Sequence, residues 1–245
     1  MSSNPFLSVI IPAYNEAKRL PNTLEQVMVY LKDQSYASEI IIVENASLDN
    51  TCLVAKEFAG QYASAQLPIT VLQEPRKGKG AAVKKGMLAA KGEYRFMCDA
   101  DLSMPVMEIY RFLPPSLEDF DIAIASREAP GAIRYNEPAY RHLVGRIFNT
   151  LIRVLAIPEL NDTQCGFKCF KAAIAEELFQ RMTITGWSFD VEILYLARKC
   201  GYQIVEIPIP WYYNPQSQIS VVGDSFQMAL DIFKIRMESR NSRHE

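Results

Sequence analysis

Asp99 and Asp101 stand one residue apart in RFMCDADLSMP, directly after an apolar run ending in Phe96, Met97 and Cys98. On extended backbone, residues i and i+2 project to the same side. The pair can therefore share a divalent ion, or bind it through one carboxylate and a water. Magnesium or manganese suits oxygen ligands of this kind, with the oxygens of a diphosphate filling other coordination positions. A cation would also relieve the repulsion between two close carboxylates. The competing reading is an exposed acidic turn in which Asp101 caps a helix.

A second group of residues points to phosphate. In EPRKGKGAAVKKG, Gly78 and Gly80 permit tight turns, while Arg76, Lys77 and Lys79 put positive charge at the start of a helix. Such a helix entrance suits a pyrophosphate. The segment is neither a P-loop nor a G-x-G-x-x-G dinucleotide turn, so a solvated basic turn is its competitor. Upstream, in VENASLDNT, Glu44 and Asn45 offer a carboxylate and an amide that can read a base or a ribose, whereas Ser47 or Asp49 can cap the next helix.

The elements that must position these groups follow from periodicity. Leu7–Ile11, Glu39–Val43, Ile69–Leu72, Tyr94–Cys98 and Asp121–Ala125 read as short buried strands, the first stopping at Pro12. Between them lie helical stretches, including one with Leu24, Val27, Met28 and Leu31 on one face, one over Asp49–Gly60 and one over Gly80–Gly92. Alternation of this sort predicts an α/β fold, a mostly parallel central sheet with helices on both faces. Ligands of such sheets sit outside the carboxyl ends of the strands, where both acids fall. Further on, His142–Leu155 and Trp187–Cys200 read as helices, Thr163–Phe170 as a loop or short strand, and Gln203–Ile209 as a strand. Ser225–Met237 reads as a final amphipathic helix. The expected division is a catalytic domain over 1–220, with 221–245 a C-terminal helix and basic tail packed on the domain or at a membrane.

Composition narrows the classes. The chain has 245 residues, 49% of them hydrophobic and 22% charged, enough apolar residues for one large core. A formal net charge of -2 argues against broad nucleic-acid binding. Five cysteines form no regular framework, and Cys165 and Cys169 lack a second chelating pair, which favours ordinary reduced thiols and a cytoplasmic setting. No apolar run reaches the roughly 18 residues of a spanning helix, and no signal-peptide pattern opens the chain.

Taken together, VIIPAYNEAKRL, VENASLDNT, RKGKGAAVKKGMLAAKG and DADLS resemble family-2 glycosyltransferases of the GT-A fold. NDTQCGFKCF and GWSFDVEILYLARKCGYQIVEIPIPW are similar to the dolichyl-phosphate glucosyltransferases and, more loosely, to the mannose synthases of that family. The resemblance spans roughly Ser8 to Trp211. It implies a nucleotide-sugar donor, Mg2+ or Mn2+, inversion at the anomeric carbon and a polyprenyl-phosphate acceptor. By motif, Pro12, Tyr14 and Glu16 fall in the first nucleotide-binding loop, and Glu44 and Asn45 replace an Asp-Asp pair. Lys79 matches a lysine near the nucleotide, and Asp99 and Asp101 match the metal-associated D-x-D. Ser103 stands where mannose-synthase relatives often carry Gln, which leaves a third protein ligand open.

On the acceptor side, the family comparison makes Arg127 and Arg141 the pair that grips the acceptor phosphate, an anion that guanidinium forks suit. Arg134 and Arg146 are fallbacks, and His142 is structural or superficial. In relatives with hydroxyl acceptors, an acid near Asp162 removes the acceptor proton. A phosphate monoester has its second pKa near 6 and needs positioning more than deprotonation. Asp162 then orients Lys168, Arg141 or the sugar, or caps its own turn. Lys168 is a candidate for the phosphates and Trp187 for a sugar or acceptor wall. Asp190 and Glu192 either bind the donor hexose or solvate a helix; the resemblance favours the Asp190 region.

Near the end, Trp211, Tyr212 and Tyr213 combine apolar rings with polar handles suited to a membrane interface. The stripe of Val222, Phe226, Ala229, Leu230 and Phe233, with basic residues after it, fits a monotopic helix, packing on the domain or a homo-oligomer contact. The expected location is cytoplasmic and peripheral at the membrane face. The expected reaction is direct attack of a polyprenyl-phosphate oxygen on the anomeric carbon, with UDP-glucose as donor. Its rivals are transfer to a soluble hydroxyl, nucleotidyl transfer, and non-catalytic binding of a sugar nucleotide.

Overall fold

The structure, a computed structural model, describes residues 4–214 and Asp231. Seven strands form one sheet: β1 (Leu7–Ala13), β2 (Ser38–Glu44), β3 (Ile69–Gln73), β4 (Tyr94–Cys98), β5 (Ile122–Ser126), β7 (Phe167–Lys171) and β8 (Ile204–Pro208). Their order is β3-β2-β1-β4-β7-β5-β8. Every neighbouring pair is parallel except those of β7, which runs antiparallel to both β4 and β5. The expected mostly parallel sheet is therefore present. The strand expected to stop at Pro12 continues to Ala13. Pairing with β4 ends at Ile10, so Pro12 lies where the strand keeps only β2 beside it.

Alternation along the strands feeds two cores. On one face Leu7, Val9 and Ile11 pack with Leu24, Val27 and Leu31 of α1 (Leu20–Lys32) and with Phe58 of α2 (Thr51–Tyr62). On the other face Ile10 packs with Val83 and Met87 of α3 (Lys79–Ala89), Leu178 of α5 (Ala172–Arg181) and Val191 of α6 (Phe189–Lys199). The first core ends beneath the acids in a knot of Phe96, Phe112 and Phe167, with edge-on ring contacts at 4.5 to 5.4 Å. Such contacts contribute roughly 0.5–1.5 kcal/mol beyond burial and make a rigid floor for the turn above.

Because β7 is reversed, its start lies beside the ends of β4 and β5. Phe167 pairs with Cys98, so the loop before β7 reaches the sheet edge where ligands bind. A separate two-stranded parallel ribbon joins β6 (Ile133–Tyr135) to β9 (Pro210–Tyr212). Between them in sequence, α4 (Ala139–Leu155) begins three residues before the helix expected from His142. Neither ribbon strand, nor α5, nor the 3-10 turn at Val106–Phe112 was expected. The helix expected over Ser225–Met237 lies outside the described residues apart from Asp231, whose Oδ2 accepts a bond from Ser188 Oγ at 2.6 Å. Among the described residues no helix is long and apolar enough to cross a membrane.

Candidate active site

A cavity of about 550 Å³ opens at the carboxyl ends of β1, β4 and β5. Its donor-like end is built on backbone turns. The N–H of Asp99 donates to the Gly166 carbonyl at 3.1 Å, clamping the end of β4 to the loop before β7. A Cβ at Gly166 would lie 1.8 Å from Asp99 Oδ2, so only glycine allows this approach. Asp101 accepts the Ser103 N–H at 3.0 Å, and the Ala100 carbonyl accepts Thr23 Oγ1 at 2.6 Å. These bonds tie the acidic turn to itself and to α1. Both acids face the cavity, and burial together with the Asp99 charge raises the pKa of Asp101.

Lys79 meets them from the first turn of α3. Its Nζ lies 2.6 Å from Asp99 Oδ1 and 5.5 Å from the Trp187 ring centroid. Burial works against its charge, but Asp99 and Asp190 outweigh burial and raise its pKa. The preceding turn has Gly78 at φ 129°, where a Cβ would strike the Thr185 carbonyl. Asn45 holds that turn. Its Nδ2 donates to the carbonyls of Glu74 and Arg76 at 3.0 and 2.7 Å, and its Oδ1 accepts the Gly78 N–H at 2.9 Å. Three of the four hydrogen-bonding directions of its amide are thus taken by the protein, although Asn45 still borders the cavity with Pro12, Tyr14 and Glu16.

Glu44 is not among the lining residues. It is buried and accepts the Ser47 N–H, shaping the turn that follows β2. The N-cap of α2 is Asn50, without a side-chain cap bond; Asp49, one residue earlier, accepts the N–H groups of Ala17 and Thr51. Glu16 pairs with Arg19 through two bonds of 2.6 Å, and burial raises its pKa despite that partner.

At the other end, Arg127 leaves β5 and meets Asp162. Two side-chain bonds of 2.6 and 2.9 Å and a backbone bond of 3.0 Å join them. Asp162 is wholly buried behind Arg127 and does not line the cavity. Burial pushes its carboxyl up, but the Arg127 charge and hydrogen bonds prevail and bring its pKa down to about 2. Glu206 of β8 fixes the turn from below, accepting the N–H groups of Asn161 and Asp162 at 2.9 to 3.0 Å. Arg127 and Arg134 lie 5.6 and 5.7 Å from the Trp211 ring centroid, and Arg141 donates to Tyr213 Oη at 3.1 Å. All five of these side chains border the cavity.

Lys168 is buried under Asp190, donating to its Oδ1 and to the Cys165 carbonyl. It therefore supports the wall and does not line it, while Asp190 and Trp187 do. Burial raises the pKa of Asp190, against the opposing pull of Lys168 and Lys79. Glu192 points to the backbone of Thr183 and Ile184 and solvates nothing. His142 is half-exposed, 3.9 Å from Glu128. Sequence reasoning missed Glu137 and Glu206, the latter signalled only by an acid in the apolar run IVEIP.

Among the described residues no three His, Cys, Asp or Glu side chains gather as a metal cluster. A hard cation would rest on Asp99 and Asp101, with oxygens of a bound ligand completing its shell. Two carboxylates facing a cavity, one with its pKa raised, fit such an ion.

The model of glycosyl transferase family 2 matches residues 8–179. A dolichyl-phosphate beta-glucosyltransferase of Dictyostelium discoideum is 34% identical over 244 residues, 95% of this chain and 74% of that protein. The human dolichyl-phosphate beta-glucosyltransferase is 32% identical, over 94% of this chain and 75% of its own length. Among solved structures, mannosyl-3-phosphoglycerate synthase from Rubrobacter xylanophilus superposes with a TM-score of 0.69 at 15% identity, covering 98% of this chain and 75% of that one. Glucosyl-3-phosphoglycerate synthase from Mycobacterium tuberculosis, solved with Mn2+ and UDP-glucose, gives 0.66 at 15% identity, over 96% and 78%. The last two likenesses are of fold.

Proposed function

From the premise that the chain belongs to glycosyl transferase family 2, we propose that it transfers glucose from UDP-glucose, with inversion, to a polyprenyl phosphate. The observation that carries the acceptor is the state of Asp162. A hydroxyl acceptor needs a base with a free lone pair and a pKa near the working pH. Asp162 offers neither, because Arg127 holds both its oxygens and its pKa falls to about 2. Four other carboxylates around the cavity are paired, Glu16 with Arg19, Glu137 with Arg134, Asp190 with Lys168 and Asp99 with Lys79, while Asp101, which accepts the Ser103 N–H, stands where a cation would rest. A phosphate monoester brings its own negative charge to such a site, with its second pKa near 6.

In this reading Arg127 and Arg141 hold the acceptor phosphate, and Asp162 holds Arg127. A phosphate oxygen forms a bond to the anomeric carbon as the bond from that carbon to UDP breaks. One displacement inverts the centre, and UDP leaves with the bonding pair. A divalent cation on Asp99 and Asp101 would neutralise the diphosphate as it departs. Lys79 adds charge at the same end, while Asp190 and Trp187 border the space for the hexose. Glucose is supported by the two dolichyl-phosphate beta-glucosyltransferases above; UDP is carried by the sequence resemblance.

A donor panel of UDP-glucose, UDP-N-acetylglucosamine and GDP-mannose tests this with Mn2+ or Mg2+ and two acceptors, a short isoprenyl phosphate and its parent alcohol. The expected result is glucosyl phosphate product and UDP, from the phosphate acceptor alone. Comparable transfer to the alcohol would overturn the acceptor reading. Release of pyrophosphate would identify a nucleotidyltransferase, and binding without turnover a sugar-nucleotide receptor.

A further inference from the structure

The ribbon of β6 and β9 has two faces of opposite chemistry. Pairing sets Arg134 beside Trp211 and Tyr135 beside Tyr212. Arg134 and Trp211 are in cation–π contact and border the cavity, so strand alternation turns Ile133, Tyr135 and Tyr212 to the other side. Those three are 51%, 37% and 45% exposed. Tyr140, at the start of α4, is 67% exposed. The rings of Tyr135 and Tyr212 stack at 4.6 Å with only 11° between their planes, so they stand as one aromatic unit.

We propose that this outer face rests on a lipid bilayer and sets the mouth of the acceptor pocket at headgroup level. The inference deepens the reading of the acceptor as a polyprenyl phosphate and rests on it. A lipid acceptor keeps its chain in the hydrocarbon, so its phosphate reaches Arg141 only if some rim of the pocket touches the interface. The ribbon is that rim: its inner face presents Arg134 and Trp211, and Tyr213, just beyond β9, receives the Arg141 bond. Tyrosine has an apolar body and a polar tip, the combination that favours a membrane interface. The outer face of the ribbon, with two stacked tyrosines and an isoleucine, presents apolar bodies with polar tips, as an interface requires. Two other occupants are a second copy of this chain and the segment 215–245, and the experiment separates them from a bilayer.

The full chain is tested for flotation with acceptor-free vesicles of phosphatidylcholine and phosphatidylglycerol, as wild type and as Tyr135→Ser/Tyr212→Ser. Neither tyrosine borders the cavity. The serine pair is expected to weaken vesicle binding about tenfold, as loss of ~1.4 kcal/mol would do. It should lower kcat/KM for a long-chain acceptor in vesicles by a similar factor, and leave kcat/KM for a short, water-soluble isoprenyl phosphate unchanged. A Tyr135→Trp/Tyr212→Trp pair should keep vesicle binding, with a blue shift of tryptophan emission on adding vesicles; it covers the case in which the serine pair does not fold. Unchanged vesicle binding by the folded serine pair would overturn the proposal. So would absence of a blue shift in the tryptophan pair. A fall from dimer to monomer with vesicle binding intact would assign the face to a second copy, and unaltered binding with new protease cleavage within 215–245 would assign it to that segment. If wild type binds vesicles through these tyrosines but transfers to neither acceptor, the ribbon assignment stands and the reading of the reaction fails.

Discussion

Arg127 and Asp162 are locked as a fork: Nε and Nη2 of the arginine donate to the two carboxylate oxygens at 2.6 and 2.9 Å. The carboxylate is wholly buried while Arg127 borders the cavity, so the acid can reach a ligand only through the arginine. Removing one partner of a buried pair leaves the other uncompensated and costs about 3–5 kcal/mol. D162N retains one acceptor oxygen and should lose roughly 2–3 kcal/mol of that. If Asp162 positions Arg127, D162N raises KM for the acceptor phosphate with a smaller fall in kcat and no change in the acidic limb of the pH profile, where a general base would titrate. Loss of a titrating limb would instead make Asp162 the base.

The same pair predicts a pH dependence of stability. The native pKa of Asp162 is lowered from 3.8 to about 2. A depressed acid contributes stability that is complete above the unfolded value and vanishes as pH falls through the native one. Urea titrations should show a constant gap between wild type and D162N from neutrality to about pH 5, closing between about pH 4 and pH 2. A gap that persisted at pH 2 would mean that packing, and no charge, stabilises this site.

Lys79 should make binding of a cation depend on the nucleotide. Its ammonium already neutralises Asp99 at 2.6 Å. A diphosphate gives that ammonium an alternative partner and frees the carboxylate. Mn2+ titrations followed by electron paramagnetic resonance should show tighter binding with UDP present. K79M should strengthen Mn2+ binding to the nucleotide-free protein by about tenfold, the equivalent of ~1.4 kcal/mol, and shrink the effect of UDP. Equal Mn2+ affinity in both proteins would show that Lys79 does not compete.

Gly166 controls the place of Asp99. A methyl group there would overlap Oδ2 at 1.8 Å, and the Gly166 carbonyl is simultaneously held by the Asp99 N–H. The side chain of Asp99 must move, because β7 is paired on both edges and cannot. G166A should cost about 1–3 kcal/mol in thermal melts, as overpacking does, yet reduce kcat by about a hundredfold or more. Nearly normal turnover in a folded G166A protein would detach Asp99 from the reaction.

The strand–helix alternation made the parallel part of the sheet legible because each buried strand is continuous in sequence. Asp99, Asp101 and Lys79 were legible as neighbours for the same reason: both acids follow the end of β4, and Lys79 opens the helix after β3. The antiparallel entry of β7 was not, since FKCFK carries no mark of direction and its place between β4 and β5 is decided by packing. β6 and β9 have three residues each and exist only through pairing across 77 positions of sequence. Asn45 shows the limit at a single residue. Its amide reads equally well as a ligand contact or a brace, and only the carbonyls of Glu74 and Arg76 reveal the brace. Glu44 and Lys168 were drawn towards the ligand by motif, whereas burial and partners put both in supporting places.

Glu206 extends the acceptor grip one step further from the cavity. Its two oxygens receive the N–H of Asn161, the N–H of Asp162 and the Asn161 amide at 2.8 to 3.0 Å. These bonds set the height of the turn from which Asp162 reaches Arg127. E206Q keeps one acceptor oxygen but replaces the other with a donor facing donors, which costs about 1 kcal/mol at this half-buried site. The turn should loosen, Arg127 should lose its fixed direction, and KM for the acceptor should rise severalfold while KM for the sugar nucleotide holds. Combining E206Q with D162N should add little to the effect of D162N on acceptor KM, because both act through one arginine. Fully additive effects would place Glu206 outside that chain of contacts and leave it a brace for β8 alone.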